Sequence, residues 1–231
     1  MEEIFTLRRI ARIRSPFPTK FGIPRQSGRV PEAVSRIVFE PDYRNADALR
    51  GLEGYSHLWI IWQFSEVTSQ GWSPTVRPPR LGGNRRMGVF ATRSPYRPNP
   101  LGLSCVRIKE ILLASADGPC IDVYGADLLD GTPIFDLKPY LPTADCIPDA
   151  VGGFAEAVKD HRLSVSDPEG RLNALPEETR ELIRGVLADD PRPAYQNDSA
   201  RIYSFECAGY RICFYVESET AIVTECSPYA S

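Results

Sequence analysis

Several features that would assign this chain to a common class of protein are missing from its sequence. No apolar run approaches the roughly 18–20 residues that cross a bilayer, and the acidic start has no secretory apolar run. No Walker loop is present and no G-x-G-x-x-G follows a strand-like segment, so a Rossmann nucleotide site is not expected. We therefore predict a cytoplasmic protein with no membrane partner.

Metal-ligand spacing is also missing. The sequence has only two histidines, and none of its six cysteines forms a C-x-x-C pair. We predict that the protein binds no metal. We also predict that its cysteines are buried, reduced thiols, because a free cysteine commonly behaves as a small hydrophobic residue.

Charge is distributed unevenly along the 231 residues, whose formal net charge is −3. Residues 1–36 contain eight basic and three acidic residues, and residues 67–109 contain eight basic residues and no acid. Two basic segments in an acidic chain suggest an electropositive face for an anionic partner such as nucleic acid. Charge alone favours equally the alternative that these side chains pair with carboxylates elsewhere in the fold.

Hydrophobic periodicity predicts a mainly β fold for residues 1–150, with one short helix at residues 45–52. Strands are expected at residues 4–14, 35–41, 56–66, 87–95 and 103–115, and two more within residues 120–142, with a turn at Asp130-Gly131 between them. Short strands separated by turns indicate an all-β barrel or sandwich.

The pattern changes near residue 150, and we predict a boundary there between a domain at residues 1–150 and a second at residues 151–231. Residues 176–191 are typical of an amphipathic helix, with Pro176 at its start, acids in its first turn and an apolar stripe through Leu182 and Val186. Two or three strands follow it. The second domain is therefore predicted to be a small α+β unit.

One stretch is both basic and unsuited to regular structure. Residues 72–104 read WSPTVRPPRLGGNRRMGVFATRSPYRPNPLGLS, with six arginines, six prolines and no acid. Prolines cannot occupy the middle of a sheet, so these residues are expected at a rim, where functional groups concentrate. Prolines near Arg97 restrict the backbone, and a fixed guanidinium suits phosphate or carboxylate recognition.

Three other groups admit both a functional and a structural interpretation. Pro24-Arg25-Gln26 lies in a Gly/Pro loop that would bind a ligand with little ordering cost, or is a plain surface loop. His57 precedes a hydrophobic strand, where a lone histidine is usually structural. Turn chemistry alone explains Asp130, although carboxylates at strand ends also bind a ribose or a cationic group.

Four strings in one order, PRQSGRV, GLEGYSHLWI, the basic stretch above and DLLDGTPIFDLKPYLP, resemble the TsaA-like family of tRNA methyltransferases over residues 4–150. DPRPAY at residues 190–195 is similar to the C-terminal domain of its bacterial members. The resemblance implies a TsaA-like β-barrel followed by a small α+β domain. It also implies a homodimer that uses S-adenosylmethionine, bound near the dimer interface, to methylate N6 of N6-threonylcarbamoyladenosine (t6A) at position 37 of tRNA, giving m6t6A.

The same resemblance carries the family's cofactor-binding positions onto this sequence. They are Pro24, Arg25, Gln26, Ser65, Glu66, Arg93, Leu103, Asp127, Leu129, Asp130, Gly131 and Thr132. The sequence departs from the family at Ser65-Glu66, where the family often has His-Gln.

On this hypothesis the basic stretch binds the phosphates of the anticodon loop, and aromatic side chains stack on its bases. The predicted RNA-binding residues are Arg77, Arg80, Arg85, Arg86, Tyr96 and Arg97. The carbamoyl group makes N6 a weak nucleophile, so a general base would help, and Asp130 and His57 are the candidates. Two alternatives remain open: a methyltransferase that acts on a different acceptor, and a non-enzymatic RNA-binding β module.

Overall fold

A computed structural model describes residues 3–67, 71–78, 85–158, 161–192 and 198–229. These residues form a closed six-stranded barrel, a four-stranded sheet with one long helix, and a pair of two-residue strands. The fold is mainly β, as the sequence predicts. None of the described helices has the length and apolar character that a bilayer crossing requires.

The barrel is closed by antiparallel pairs in the order β1-β2-β7-β6-β3-β8, and β8 pairs back onto β1. Its strands are β1 (Ala11–Arg14), β2 (Val34–Phe39), β3 (His57–Gln63), β6 (Leu101–Leu112), β7 (Cys120–Tyr124) and β8 (Pro133–Pro139). Along β3 every second side chain is buried, so Leu58, Ile60 and Trp62 point into the barrel core. The sequence signal that predicts the strand is a continuous hydrophobic run with β-branched and aromatic members, and the alternating burial appears only in the structure.

Two predicted strands are shorter in the structure. The first was expected at residues 4–14 but begins only at Ala11, because the preceding residues have no partner strand and Ile4 and Phe5 are 82% and 80% exposed. The strand expected at residues 87–95 is only β5 (Met87–Gly88), which pairs with β4 (Thr75–Val76).

The predicted short helix at residues 45–52 is also different. It is replaced by two 3-10 turns, Ala46–Leu49 and Leu52–Gly54. Asn45 caps the first turn by accepting a hydrogen bond from the Asp47 backbone N–H at 3.0 Å, and Gly51 separates the two turns with a φ of 90°. An α-helix therefore does not form at residues 45–52.

The C-terminal part of the chain combines one helix with a mixed sheet. Helix α2 (Glu177–Ala188) has the predicted apolar stripe buried, and it follows the four-residue α1 (Pro142–Asp145). The sheet has the order β10-β11-β12-β9. Its strands are β9 (Ser164–Ser166), β10 (Tyr203–Cys207), β11 (Tyr210–Glu217) and β12 (Thr220–Pro228). Only β9, which pairs in parallel with β12, is absent from the sequence prediction.

The two hydrophobic cores do not correspond to two consecutive segments of the chain. One core fills the barrel. The other is built from α2 and the mixed sheet, and it also contains Phe17, Val30 and Ala33 from the loop between β1 and β2. That loop, residues 15–33, is called the β1–β2 loop below. Its packing means that the barrel and the C-terminal unit share part of the chain.

The cysteines are all unpaired, but they are not uniformly buried. Cys120 and Cys207 are buried, and burial raises the pKa of the Cys207 thiol to about 12. Cys146 is exposed, so the prediction of six buried thiols is wrong at that position. Among the described residues, no group of three or more His, Cys, Asp or Glu side chains is arranged to hold a metal ion.

Candidate functional site

A cleft of about 540 Å³ opens at one end of the barrel. Strand register explains why its walls meet there: Gln63 at the end of β3 pairs with Leu101 at the start of β6, and Trp62 pairs with Ile134 near the start of β8. The β1–β2 loop, the turn after β3, the segment before β6 and the β7–β8 connection therefore converge on the same end. Functional groups on four separate connections are brought into one cavity.

The inner wall of the cleft contains a chain of hydrogen bonds. The Trp62 indole N–H donates to the Ser104 hydroxyl at 3.0 Å, and that hydroxyl donates to Asp127 Oδ1 at 2.6 Å. Gly102 makes this arrangement possible, because a Cβ at its position would lie 2.2 Å from the Trp62 ring. The orientation of the Asp127 carboxyl is thus fixed from β3 and β6.

Asp127 is the acidic group of this inner wall. Burial raises the pKa of Asp127, although hydrogen bonds from Ser104 and from the Ser27 backbone and the charge of Arg93 oppose that rise. A buried carboxylate without a cationic or hydrogen-bonding partner costs free energy. Such a group is therefore suited to bind a cation or a hydrogen-bond donor of a ligand.

The outer walls carry guanidinium and amide groups. Arg93 Nη1 donates to Gln26 Oε1, which joins the segment before β6 to the β1–β2 loop. Arg25 points the other way, and its Nη2 donates to the Asp190 carbonyl oxygen at 2.9 Å. At the mouth, Lys20 Nζ lies 3.5 Å from Glu66 Oε2, and both side chains remain exposed.

A basic rim adjoins the cleft, and it is defined here as Arg77, Arg85, Arg86, Phe90, Tyr96 and Arg97. Three of its four arginines, Arg77, Arg85 and Arg86, are exposed, as is Phe90. The fourth, Arg97, lines the cleft together with Tyr96. Arg97 Nη1 also donates to the Thr92 carbonyl oxygen at 2.7 Å, which fixes the backbone of this turn. Arg80, the remaining predicted RNA-binding residue, lies outside the described residues.

Ten of the twelve predicted cofactor-binding residues line the cleft. They are Pro24, Arg25, Gln26, Ser65, Glu66, Arg93, Leu103, Asp127, Leu129 and Thr132. The two others, Asp130 and Gly131, lie in the same turn but face the backbone of β1: Asp130 Oδ1 accepts from the Ser15 N–H at 2.8 Å, and the Gly131 N–H donates to Ile13 at 2.9 Å. Gly131 has a φ of 76°, which supports the turn that presents its neighbours.

His57, the other candidate base, does not lie near this cavity. It begins β3, whereas Gln63 at the opposite end of β3 lines the cleft, which separates them by about 20 Å along an extended strand. His57 Nδ1 is hydrogen-bonded to the Ser56 hydroxyl at 2.8 Å, and its ring is tilted against Tyr140. This environment matches the structural interpretation of a lone histidine.

Several residues that line the cleft were not predicted. Trp62 and Phe64 belong to a hydrophobic run that looks like core in the sequence, and Ser104 is separated from Trp62 by 42 residues. A single polar residue in the apolar string LGLSCV was the one available signal for Ser104. Lys20 gave no signal beyond its charge.

The fold and the cleft together define a β-barrel protein whose ligand cavity opens beside a basic rim. Residues 12–146 match the family described as tRNA-methyltransferase O N-terminal domain, and residues 165–229 match the TrmO C-terminal domain. The chain belongs to the tRNA-methyltransferase O family.

Individual relatives agree with this assignment. The tRNA (adenine(37)-N6)-methyltransferase of Escherichia coli (strain K12) is 48% identical over 198 residues, which are 83% of this chain and 84% of the relative. The "Putative S-adenosylmethionine-dependent methyltransferase RcsF" of Pseudomonas aeruginosa is 42% identical over 193 residues, 81% of each chain. The crystal structure of TrmO from Pseudomonas aeruginosa superposes with a TM-score of 0.77 at 32% identity and covers 99% of both chains.

Proposed function

We propose that the protein is an S-adenosylmethionine-dependent tRNA methyltransferase that methylates N6 of adenine 37, and that its acceptor is t6A. One observation carries the proposal. In this member of the family, a cleft with fixed acidic and basic groups lies beside a rim of exposed arginines. The E. coli relative is named for methylation of adenine 37 in tRNA. A tRNA substrate also favours the cytoplasm as the place of action.

The residues of the cleft fit S-adenosylmethionine. Its volume of about 540 Å³ lies within the range of about 300–1,000 Å³ typical of small-molecule sites. Asp127 and Glu66 supply carboxylates for amino and hydroxyl groups, Arg93 supplies a cation for a carboxylate, and Trp62 and Leu103 supply apolar surface. When bound, the cofactor would supply an electrophilic methyl group on a sulfonium.

The basic rim supports an anionic acceptor. Arg85 and Arg86 are exposed beside the cleft, and exposed guanidiniums bind phosphates with a strong salt dependence. The t6A nucleoside adds a threonine carboxylate, which one further guanidinium would bind in a bidentate manner. Tyr96, which lines the cleft and is partly exposed, is suited to stack on the base that enters it.

Catalysis on this proposal depends chiefly on alignment. Side chains fixed by the rest of the protein hold the acceptor nitrogen in line with the methyl group, which saves the entropy of a bimolecular encounter. The acceptor N–H must also lose its proton. Asp130 remains the predicted base, and Asp127 is the carboxylate of the same turn that lines the cleft, so the two are compared directly by changing each to asparagine.

A homodimer is part of the proposal. Leu103 and Leu101, at the start of β6, line the cleft and are 53% and 36% exposed, so apolar surface lies at the edge of the cavity where a second copy would cover it. Light scattering coupled to size exclusion would measure the mass, for which we expect twice 25.8 kDa. A monomeric mass at micromolar concentration would contradict this part.

The decisive experiment supplies labelled S-adenosylmethionine and two pools of the same tRNA, one with t6A at position 37 and one with unmodified adenosine. We expect label in the first pool only. Label in both pools would contradict the dependence on t6A. Label in neither pool, with cofactor binding established by calorimetry, would exclude tRNA as the acceptor and favour a different substrate.

The candidate bases are distinguished in the same assay. If Asp130 accepts the proton, Asp130→Asn lowers turnover and leaves cofactor affinity intact, and Asp127→Asn lowers cofactor affinity first. A loss of turnover confined to Asp127→Asn would transfer the role of base to Asp127. His57→Asn is the matched control, because His57 lies at the far end of β3.

A further inference from the structure

The β1–β2 loop packs on one side against the C-terminal unit. Phe17 and Val30 from the loop are fully buried in the same core as Ile183 of α2 and Phe205 of β10. The fit is close, because a Cβ at Gly22 would lie 3.0 Å from Phe205. The apolar residues of the loop are therefore part of the C-terminal core, not of the barrel core.

Two arginines of the loop reach the turn that ends α2, residues 189–192, called the helix-end turn here. Arg25 Nη2 donates to the carbonyl oxygens of Asp190 and Arg192. Arg29 Nε donates to the Asp189 carboxylate, and Arg29 Nη2 donates to the His161 carbonyl oxygen at 3.0 Å. The Asp189 side chain is 5% exposed and that of Arg29 is 20% exposed, so this ion pair is largely shielded from solvent.

The chemistry of a helix end explains why this turn attracts arginines. Carbonyl groups at a helix C-terminus carry partial negative charge, and carboxylates there are unfavourable unless cations compensate them. Asp189 and Asp190 both occupy this end of α2. Burial would raise the pKa of Asp190, but hydrogen bonds and charge from Arg192 and His161 outweigh it and lower the pKa. The helix-end turn is thus a fixed anionic element.

The other side of the same loop faces the cleft. Pro24, Arg25 and Gln26 line the cavity, and Gln26 Oε1 accepts from Arg93. Arg25 contacts the helix-end turn and lines the cleft at once. A loop with two glycines and two prolines at residues 21–31 has little regular hydrogen bonding of its own to hold that arrangement.

We infer that the C-terminal unit positions the β1–β2 loop for cofactor binding. Asp189 is the positioning residue, and it acts through Arg29. The inference rests on the proposed function. The inference concerns the fraction of molecules in which the loop has its binding-competent conformation. As that fraction falls, the apparent dissociation constant for the cofactor rises. If loss of the ion pair leaves a tenth of the molecules competent, the dissociation constant rises about tenfold.

The test compares two substitutions. Each removes the charge of an aspartate that forms an ion pair with an arginine and is shielded from solvent. Asp189→Asn removes the partner of Arg29. Asp122→Asn is the control, because Asp122 binds Arg36 at 2.6 and 2.8 Å between β7 and β2, is also largely buried, and does not line the cleft. Both variants lose a shielded ion pair, but only Asp189→Asn releases the loop.

Two readouts separate positioning from general destabilisation. Hydrogen exchange of residues 21–29, measured without cofactor, should accelerate in Asp189→Asn and stay at the wild-type rate in Asp122→Asn. The dissociation constant and KM for S-adenosylmethionine should rise about tenfold in Asp189→Asn alone, while kcat at saturating cofactor stays within about twofold of wild type.

A steric variant tests the same inference without changing charge. A Cβ at Gly185 of α2 would lie 2.9 Å from Val30 Cγ1 and 2.9 Å from Glu32 Oε2. Gly185→Ala improves the helix propensity of α2, but it should push the loop away and weaken cofactor binding. Gly54→Ala, which meets no atom within 4 Å, is its control.

The outcomes are distinct. Equal exchange and equal cofactor affinity in Asp189→Asn and Asp122→Asn would overturn the inference. Faster exchange with unchanged cofactor affinity would overturn it as well, because the loop would then move without affecting the cleft. Failure of the wild-type protein to bind S-adenosylmethionine would contradict the proposed function instead, and the exchange comparison would still measure whether the C-terminal unit holds the loop.

Discussion

The two basic segments of the chain are used in opposite ways. Six of the eight basic side chains in residues 1–36 lie within 4.0 Å of a carboxylate. They are Arg9, Arg12, Arg14, Lys20, Arg29 and Arg36. In residues 67–109, Arg86, Arg93 and Arg97 bond neutral oxygens of Thr75, Gln26 and Thr92 instead. The first segment is largely neutralised within the fold, whereas these three arginines of the second segment have no carboxylate within 4.0 Å among the described residues.

The difference shows that the net charge of a sequence segment does not by itself predict a binding surface. The side chains that pair with its arginines and lysines in the fold must also be known. The pairing alternative drawn from the sequence is confirmed for the first segment, and the binding-surface alternative stays a prediction for the second. Arg14 with Asp117 and Arg36 with Asp122 join neighbouring parts of the barrel, so their role is structural. Within the described part of the chain, Arg86 and Arg97 of the basic rim bond only neutral oxygens, so their charge would draw an anionic ligand toward the cleft.

Charge reversal on the rim should have the largest effect. For Arg85→Glu combined with Arg86→Glu we expect about hundredfold weaker tRNA binding, because two attractions become repulsions, and a salt slope smaller in magnitude by about 1–2. Anisotropy titrations between about 50 and 200 mM salt would measure both.

The matched control reverses a charge in the first segment. Arg14→Glu breaks the pair with Asp117 and should lower the melting temperature, but it should leave tRNA affinity and its salt slope close to wild type. Equal losses of tRNA affinity in both variants would show that the two segments do not differ in the way proposed.

A steric change should separate the cleft from the rim. In Gly102→Ala the new methyl group would occupy space taken by the Trp62 ring, so the hydrogen bonds from Trp62 to Ser104 and onward to Asp127 should be lost. We expect about tenfold weaker binding of S-adenosylmethionine, equivalent to about 1.4 kcal/mol, with tRNA affinity unchanged. Calorimetry with the cofactor alone would measure this. A parallel loss of tRNA affinity would mean that the two surfaces are coupled.

An uncharged rim residue should have a smaller effect. Phe90 is 74% exposed and lies 5.8 Å from the Arg97 guanidinium, so Phe90→Ala removes a stacking surface without removing charge. We expect tRNA affinity to fall about fivefold, corresponding to about 1 kcal/mol, with an unchanged salt slope. Phe5→Ala, at an exposed phenylalanine outside the rim, should leave tRNA affinity unaltered. A changed salt slope for Phe90→Ala would contradict a stacking role.

The barrel was predictable because short runs of β-branched and aromatic residues, separated by turn residues, are a local signal. The run SHLWIIWQFSE predicts β3, and Pro176 with the stripe through Leu182 predicts α2. Segments at residues 4–10 and 89–95 carry similar local patterns but form no strand, because pairing depends on a neighbour that local sequence does not reveal. Strand β9 was missed for the converse reason, since Ser164–Ser166 is polar and is defined only by its pairing with β12.

The candidate site was predictable only where motifs mark it. Family resemblance identified the groups of residues that converge on the cleft, including Gln26, Arg93 and Asp127. The contacts that hold these groups join residues far apart in sequence: Arg29 and Asp189 are separated by 160 residues. Neither composition nor periodicity relates two such positions, so the role of the helix-end turn required the structure.

The smallest expected effects concern stability and pH. They compare Asp190, whose carboxylate pairs with Arg192 and His161, with Asp127, which lines the cleft. The lowered pKa of Asp190 means that its ionised form stabilises the fold. That contribution is complete above the ordinary pKa of about 3.9 and is lost as the pH falls through the folded value. Asp190→Asn should therefore lower the melting temperature at neutral pH, and the difference from wild type should vanish in acid.

Asp127 should behave in the opposite way. Its raised pKa means that the folded protein holds the proton more tightly than the unfolded chain, so its ionised form lowers the free energy of unfolding above the folded pKa. Asp127→Asn keeps an acceptor for Ser104 but carries no charge, so it should equal or exceed the wild-type melting temperature at neutral pH while binding S-adenosylmethionine more weakly. Melting curves between about pH 4 and 8 should show that any gain in stability shrinks toward acid, where Asp127 is itself protonated. A lower melting temperature for Asp127→Asn at neutral pH would mean that Asp127 stabilises the fold as Asp190 does, and that burial of its charge is already compensated without a ligand.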